Sequence, residues 1–131
     1  TPLKEKEPVQ EAFATTGKLT YPVNGKIIRE YVKGKTEGID LSAPAGSTIV
    51  AAETGTVAAI TADVDQVPIV VIKHANELLT VYANVGNISV SKGAKVSRGQ
   101  AIGKIPPSNP TYLHFEVRQG LDSVDPLDYL Q

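Results

Sequence analysis

The sequence contains no cysteine, no methionine and no tryptophan, and its only histidines are His74 and His114. Without cysteine, the chain has no disulfides, no thiolate metal ligands and no cysteine nucleophile. No apolar run approaches the roughly 18 residues that a membrane-spanning helix requires. We therefore expect no membrane span, and imidazole chemistry is confined to two positions.

The chain also lacks an excess of one charge, because its formal net charge is -1 and its sequence pI is about 6.1. No block of like charges is present, so a nucleic-acid partner is not expected. With 131 residues, of which 41% are hydrophobic, the composition predicts one folded domain.

The first 18 residues, TPLKEKEPVQEAFATTGK, differ from the rest of the chain. They are mostly polar, and their few apolar side chains do not offset the entropy lost on ordering. We predict a linker, or a segment docked on the domain, over residues 1–18. The folded domain is predicted over residues 19–131.

After residue 18 the chain consists of short segments rich in β-branched residues and separated by glycine and proline, which predicts an all-β fold with little helix. The predicted strands are KLTYPV, GKIIREYV, GIDLSA, STIVAA, GTVAAITA, VPIVVIKH and ELLTVYANV. HANE is a predicted hairpin turn, and DPLDYL is the one place where a helical turn is expected.

The segment YLHFEVR alternates between two faces, as a half-buried strand does. One face is assigned to the core and carries Leu113, Phe115 and Val117. The other face presents a ring, an imidazole, a carboxylate and a guanidinium in a row, from Tyr112, His114, Glu116 and Arg118. A groove beside this strand would be lined by the second set.

Asp40 stands between Ile39 and Leu41, so alternation turns its carboxylate away from the side that buries those two residues. This position alone is also typical of a solvated or turn-capping aspartate. His74 ends a predicted strand before a turn, and we expect it to have a structural or surface role.

Four segments taken together resemble the LytM domain of lysostaphin-type zinc endopeptidases, which cleave peptidoglycan cross-links. They are GKIIREYVKGKTEGIDLSAPAGSTIVAAETGTVAAI, IVVIKHANELLTVYANV, VSKGAKVSRGQAIGKI and LHFEVRQGLDSVDPLDYL. The resemblance covers roughly residues 19 to 131. It implies a lysostaphin-like antiparallel β-sheet domain with a central groove.

The resemblance also implies which positions would hold zinc. In active members, a His-x-x-x-Asp pair and the second His of His-x-His are the ligands, and the matching residues here are Thr36, Asp40 and His114. The two further histidines that serve catalysis correspond to Asn84 and Tyr112. Catalytic zinc usually takes three protein ligands, and only Asp40 and His114 remain. No metal, no cofactor and no catalytic residue are therefore expected.

Among relatives of this type, the resemblance is to the degenerate LytM factors of the NlpD, EnvC and DipM group. It implies a non-catalytic protein of the bacterial periplasm or cell envelope that binds and activates an N-acetylmuramoyl-L-alanine amidase during cell division. In the implied mechanism, the groove pulls an inhibitory helix off the amidase's own zinc site. The predicted partner-binding groove comprises Thr36, Asp40, Tyr82, Asn84, Tyr112, His114 and Arg118.

Several alternatives remain open from the residues alone. Tyr82 lies in an alternating strand and is equally consistent with core packing, and Lys33, Lys35 and Arg118 are also ordinary solubility residues. The chain could bind peptidoglycan without activating an amidase, or retain zinc endopeptidase activity. The glycine turns of VSKGAKVSRGQAIGKI also occur in biotinyl and lipoyl domains, but no Met-Lys-Met or Asp-Lys step is present.

Overall fold

The computed structural model describes residues 19–62, 67–108 and 110–130. The predicted linker or docked segment at residues 1–18 lies outside the described residues. The all-β prediction is confirmed, since the helical content is limited to two 3₁₀ turns in the described part of the chain. The strands are β1 (Lys26–Arg29), β2 (Ile39–Ser42), β3 (Thr48–Val50), β4 (Gly55–Ala62), β5 (Pro68–Lys73), β6 (Leu78–Ala83), β7 (Lys95–Val96), β8 (Ala101–Lys104), β9 (Tyr112–Gln119) and β10 (Asp122–Val124).

Eight strands form one antiparallel sheet in the order β1-β2-β9-β6-β5-β4-β7, with β10 pairing β9 beside the end of β2. β9 lies in the middle of this sheet, paired with β6 along one edge and with β2 and then β10 along the other. β3 and β8 pair separately as a small second sheet. The polar row predicted on β9 therefore runs through the centre of the large sheet.

The core lies against one face of the large sheet, which we call the back face. Strand alternation and β-branched or aromatic residues create it, and its members are fully buried. From the large sheet it takes Ile39, Leu41, Val57, Val70, Ile72, Leu78, Tyr82, Leu113, Phe115 and Val117, and from the small sheet Ile49 and Ile102. The opposite front face is less covered, and it carries the site described below.

Several local predictions can be compared directly with the structure. The HANE segment makes the turn between β5 and β6, as a 3₁₀ turn at Ala75–Glu77. DPLDYL holds the second 3₁₀ turn, at Pro126–Asp128, where the Asp125 side chain accepts a hydrogen bond from the Leu127 amide at 3.0 Å. The prediction of a strand over KLTYPV is wrong, because its described residues, 19–23, pair only through an isolated parallel bridge between Leu19 and Leu130.

His74 belongs to a buried chain of hydrogen bonds that joins β5 and β6 to the loop before β4. Its Nδ1 lies 2.8 Å from the Thr54 carbonyl oxygen, and its Nε2 lies 2.8 Å from the Thr80 hydroxyl. The Thr80 hydroxyl is in turn 2.7 Å from the Tyr82 hydroxyl, which accepts from the Ala52 amide at 2.9 Å. We call this set the His74 chain, and its members hold the loop against the sheet.

The hydrogen bonds of the His74 chain all donate in the same direction, from the Ala52 amide towards the Thr54 carbonyl oxygen. A carbonyl oxygen only accepts, so Nδ1 of His74 carries the proton and Nε2 of the neutral ring accepts from Thr80. Burial lowers the pKa of His74, and the bond to Thr54 and the charge of Glu53 offset only part of that effect. Burial likewise raises the pKa of Tyr82 to about 12. The prediction of a structural role for His74 agrees with these contacts.

Among the described residues, no helix is long and apolar enough to cross a membrane.

Candidate functional site

The front face of β9 is organised by its pairing with two neighbours. Leu113, Phe115 and Val117 are fully buried on the back face, as the alternation predicts. β2 pairs with β9 so that Asp40 stands directly opposite His114. Because residues opposite each other in antiparallel strands share a face, the carboxylate predicted to point away from the core meets the imidazole of β9.

The imidazole of His114 lies between two carboxylates. Its Nδ1 is 2.6 Å from Asp40 Oδ1, and its Nε2 is 2.8 Å from Glu116 Oε2. A carboxylate accepts hydrogen bonds, so both ring nitrogens are held as donors, which is the state of the imidazolium. Burial by itself lowers the pKa of His114, but the hydrogen bonds and charges of Glu116 and Asp40 outweigh it and raise the pKa.

The row continues along the strand through Glu116. Its Oε1 accepts from Arg118 Nε at 3.0 Å and from Arg118 Nη2 at 2.8 Å. Arg118 also approaches Glu37 Oε1 at 3.5 Å, and that oxygen accepts from the Ser123 hydroxyl at 2.8 Å. Burial raises the pKa of Glu116, but its bonds to His114 and Arg118 lower the pKa by more, so the carboxylate stays charged. We call Asp40, His114, Glu116 and Arg118 the ion row.

Thr36 lies in the loop between β1 and β2, and its side chain closes that loop. Its hydroxyl accepts from the Val32 amide at 2.6 Å and donates to the Glu30 carbonyl oxygen at 3.1 Å. The loop forms one wall of a small open cavity of about 200 Å³ at the end of the ion row. The cavity is lined by Arg29, Lys35, Thr36, Glu37, Gly38, Asp40 and His114.

Asp40 and His114 at this cavity are spaced as a hydrogen-bonded pair rather than as two zinc ligands. Two ligands at about 2.0 to 2.1 Å from a tetrahedral zinc lie roughly 3.3 Å apart. Asp40 and His114 have instead closed to 2.6 Å on a shared proton. Glu116 contacts the opposite ring nitrogen of His114, so it does not share an ion with Asp40. In the described residues, no group of three or more His, Cys, Asp or Glu side chains is placed to hold a metal.

Asn84 and Tyr112 lie together one step along the front face from the ion row. Ala83 pairs with His114 across β6 and β9, so Asn84 follows directly beyond that pair. Asn84 has a φ of 77° and donates from Nδ2 to the Tyr112 carbonyl oxygen at 2.8 Å. Asparagine tolerates this left-handed conformation better than most residues. The link ties the end of β6 to the start of β9.

The placement of Tyr82 in the groove is wrong. The Tyr82 side chain is 0% exposed and lies on the back face, because it pairs with Phe115 across β6 and β9. Its ring packs against Phe115 at a centroid distance of 5.4 Å. Tyr82 therefore belongs to the core and to the His74 chain, as the alternative reading of the sequence allowed. The other six predicted groove residues lie on or beside the front face.

The predicted set omitted residues that complete the site. Glu116 bridges His114 and Arg118, and its position on the polar face of YLHFEVR is the sequence signal that could have included it. Arg29 and Lys35 line the cavity, but no periodic pattern marks them. The neighbouring strands also supply a half-buried aliphatic floor on the front face, made of Ile69, Val71, Leu79, Val81 and Ala83.

Residues 34–126 match peptidase family M23. The chain is 34% identical over 115 residues to the uncharacterized lipoprotein YgeR of Escherichia coli, covering 84% of this chain and 46% of the relative. It is 33% identical over 115 residues to the murein hydrolase activator NlpD of Escherichia coli, covering 84% of this chain and 30% of NlpD.

The cell division protein DipM of Caulobacter vibrioides is 30% identical over 126 residues, covering 86% of this chain and 20% of DipM. The chain thus spans less than half the length of these curated relatives.

Solved structures show the same architecture. Helicobacter pylori Csd3 superposes with a TM-score of 0.78 at 30% identity, covering 86% of this chain and 34% of that one. The catalytic domain of lysostaphin from Staphylococcus simulans has a TM-score of 0.68 at 19% identity, covering 79% and 90%. The second likeness concerns the fold alone, and it confirms the expected lysostaphin-like architecture.

Proposed function

The chain belongs to peptidase family M23, and on that premise we propose that it is a non-catalytic LytM factor. In this function it binds an N-acetylmuramoyl-L-alanine amidase and activates it during peptidoglycan hydrolysis in cell division. Relatives named murein hydrolase activator NlpD and cell division protein DipM support this assignment. Because the chain spans less than half of those relatives, the activity of the whole protein is part of the proposal.

One observation carries the non-catalytic part of the proposal. Both ring nitrogens of His114 are engaged by carboxylates, at 2.6 Å and 2.8 Å, and Asp40 is engaged by the same ring. Thr36, at the position of the third ligand, has its hydroxyl committed to the loop backbone. Zinc would have to displace the shared proton of Asp40 and His114 and would still lack a third ligand.

The groove that we propose for the partner consists of the ion row and the aliphatic floor beside it. Val81 pairs with Glu116 and Ala83 pairs with His114, so apolar side chains of β6 stand beside charged side chains of β9. A helix with an apolar face and a charged face complements such a surface. We propose that the inhibitory helix of the amidase lies here, with Asn84 and Tyr112 at one end of the contact.

Activation requires that the chain bind the open form of the amidase more tightly than the closed form. A ligand with equal affinity for both forms shifts nothing, whatever its affinity. Capture of the displaced helix meets this requirement, because the helix is accessible only when it has left the amidase zinc site. Stimulation should therefore saturate with the concentration of this chain.

The proposed location is the periplasm or cell envelope of a bacterium. Two relatives are named as lipoproteins, YgeR of Escherichia coli and the outer membrane antigenic lipoprotein B of Haemophilus influenzae. Peptidoglycan, the substrate of the amidase, lies in that compartment. The proposal places the domain next to the wall, without assigning it an anchor of its own.

The decisive experiment mixes the chain with the amidases of its host and dye-labelled sacculi, and it measures dye release. We expect the chain to raise release by each cognate amidase and to release none alone. Tyr112→Arg should reduce stimulation at least about tenfold, because it places a bulky charge at the half-buried end of the groove. Ser91→Arg, an exposed substitution before β7 at the other end of the sheet, is the matched control.

Two results would contradict the proposal. The first is an unchanged rate of dye release with every amidase of the host. The second is release by the chain alone that requires bound zinc and stops with a chelator, which would establish the zinc endopeptidase alternative. Metal analysis of the purified chain distinguishes these cases before any activity is measured.

One observation favours a second function, binding of peptidoglycan without amidase activation. Arg29 and Lys35 line the cavity next to the ion row, and neither makes an ion pair within residues 19–62, 67–108 and 110–130. Such cations attract the carboxylates of wall peptides. Co-sedimentation with sacculi in the absence of amidase tests this function, and its loss in Lys35→Glu would locate the contact.

A further inference from the structure

β1 is the outermost strand of the large sheet, and it is unusually exposed. All four of its residues, KIIR, are exposed, although two of them are isoleucines. Ile27 is 36% exposed and Ile28 is 53% exposed. Adjacent residues of a strand point to opposite faces, so β1 presents apolar surface on both sides. At the other end of the sheet, β7 has only two residues and buries its valine.

A bulge explains how Ile28 comes to project. Ile27 pairs with Leu41 and Arg29 pairs with Asp40, so Ile28 is an extra residue without a partner on β2. The bulge shows why the side chain stands out, but it does not reduce the cost of leaving it in water. Single exposed apolar residues are ordinary, but a contiguous apolar patch rimmed by polar residues is typical of a surface that binds a partner.

A cleft adjoins β1 on the side of the preceding loop. It has a volume of about 430 Å³ and is lined by Tyr21, Val23, Asn24, Gly25 and Ile27. Residue 25 at the edge of the cleft is a glycine, and this lets its backbone pack directly against Ser42. A Cβ there would lie 2.1 Å from the Ser42 carbonyl oxygen. An aliphatic side chain of a partner could enter the cleft beside Ile27.

The charge around β1 is predominantly positive. Lys26 and Arg29 flank the two isoleucines, and Lys33 follows in the next loop. In the described part of the chain, none of these three cations forms an ion pair. Residues 26–35 carry Lys26, Arg29, Lys33 and Lys35 against one carboxylate, Glu30, so this edge has a local excess of positive charge. Such an edge repels basic or like-charged strands and attracts acidic ones.

We propose that β1 and its cleft form a docking surface for an extended segment of another protein that combines apolar and acidic side chains. An aliphatic side chain of the segment enters the cleft beside Ile27, and its carboxylates pair with Lys26 and Arg29. The surface adjoins the groove at Arg29, but it is a separate site and does not depend on the proposed amidase activity. A second copy of this chain fits less well, because antiparallel β1 strands would place Lys26 opposite Arg29.

The test uses labelled ten-residue peptides centred on Glu-Val-Val-Glu or on Lys-Val-Val-Lys. The first motif presents glutamates to Lys26 and Arg29 and valines to the isoleucines in either chain direction. We expect saturable binding of the acidic peptide by fluorescence anisotropy, with NMR shift changes confined to residues 21–29. The basic peptide should bind at least about tenfold more weakly.

Matched variants connect the binding to β1. Lys26→Glu should weaken the acidic peptide by about three- to tenfold and strengthen the basic peptide correspondingly, since a surface pair is reversed. Lys95→Glu, on β7 at the opposite edge, should change neither affinity. Ile28→Ser, on an exposed and bulged position, should weaken both peptides without affecting the folded spectrum.

Four outcomes overturn the proposal. The acidic peptide fails to bind at millimolar concentration, or its binding does not respond to Lys26→Glu. Alternatively, shift changes appear at Asp40 and His114 instead of residues 21–29, which assigns the peptide to the groove. Finally, concentration-dependent dimerisation through β1 would identify a second copy as the occupant.

Discussion

The two histidines of this chain lie on opposite faces of the large sheet, His74 in a network of β5, β6 and the loop before β4, and His114 in a network of β2 and β9. His74 is buried on the back face, between a carbonyl that accepts and a hydroxyl that donates. His114 is half-buried on the front face, between two carboxylates that only accept. The first environment therefore holds a neutral ring and the second a charged one. Partners, more than burial alone, decide which state each histidine adopts.

The two networks also differ in whether water can replace a lost hydrogen-bond partner. The His74 chain has no solvent to replace a lost partner, so each of its groups depends on the next. The side chains of the ion row are partly exposed on the front face, where water can compensate for a lost contact. Substitutions in the two networks should therefore lower the free energy of unfolding by different amounts. Three experiments test this difference.

The largest effect is expected from Thr80→Val. Thr80 is 0% exposed, and loss of its hydroxyl leaves Nε2 of His74 without a donor and the Tyr82 hydroxyl proton without an acceptor. We expect the free energy of unfolding to fall by about 2 to 4 kcal/mol, because each buried unsatisfied group costs about 1 to 3 kcal/mol. Urea denaturation followed by circular dichroism measures the change.

The control for that experiment is Thr80→Ser, which keeps the hydroxyl and removes only a methyl group. It should cost about 1 kcal/mol. Equal destabilisation by Val and Ser would mean that the chain of hydrogen bonds contributes nothing to stability.

A smaller effect is expected from Glu116→Gln in the ion row. The change retains the shape of the side chain and removes the charge that faces His114 and Arg118. We expect a loss of about 1 kcal/mol, since these partners are partly exposed to solvent. Glu37→Gln removes a more exposed carboxylate that approaches Arg118 only at 3.5 Å, and it should change stability hardly at all. A loss for Glu116→Gln as large as that for Thr80→Val would contradict the contrast.

The smallest effects, and the most diagnostic, come from pH. The folded pKa of His74 lies below its ordinary 6.5, so its neutral form favours folding above pH 6.5, and that stability is lost as the pH falls through the folded pKa. The folded pKa of His114 lies above 6.5, so its contribution is complete below pH 6.5 and is lost as the pH rises through the folded pKa.

Imidazole nitrogen NMR of the metal-free chain resolves these two titrations. We expect one ring to stay neutral below pH 6.5 and the other to stay charged above it. His74→Gln and His114→Gln assign the signals. Titration midpoints of His74 and His114 that both lie above or both lie below pH 6.5 would contradict the opposite pKa shifts of the two rings.

Protonation has a structural consequence in the His74 chain that it lacks in the ion row. A charged His74 would donate from Nε2 to Thr80, which would reverse the Thr80 hydroxyl and leave the Tyr82 proton without an acceptor. The same proton on His114 is already accommodated by Asp40 and Glu116. Acid should therefore loosen the loop at Ala52 before it disturbs the groove.

The sequence predicted the faces of β9 because alternation within one strand is local information. The side of the sheet that buries Leu113, Phe115 and Val117 followed from apolar periodicity alone. Asp40 was expected to face away from the core, and the resemblance to LytM domains placed it at the same site as His114. Both residues do meet on the front face.

Tyr82 shows what one sequence could not provide. Whether its ring lies in the groove or in the core depends on the register between β6 and β9, where Tyr82 pairs with Phe115. A shift of one residue would have sent it to the front face. The links of the His74 chain were hidden for a similar reason, because Thr54 reaches His74 from 20 residues away and Ala52 reaches Tyr82 from 30 residues away.

The isolated bridge between Leu19 and Leu130 brings the first and last described parts of the domain side by side, with the Leu19 amide 2.9 Å from the Tyr129 carbonyl oxygen. A domain whose two ends lie close together can be inserted into longer polypeptides without changes to its core. Gene rearrangement can therefore combine this domain with different neighbouring domains while its surface stays the same.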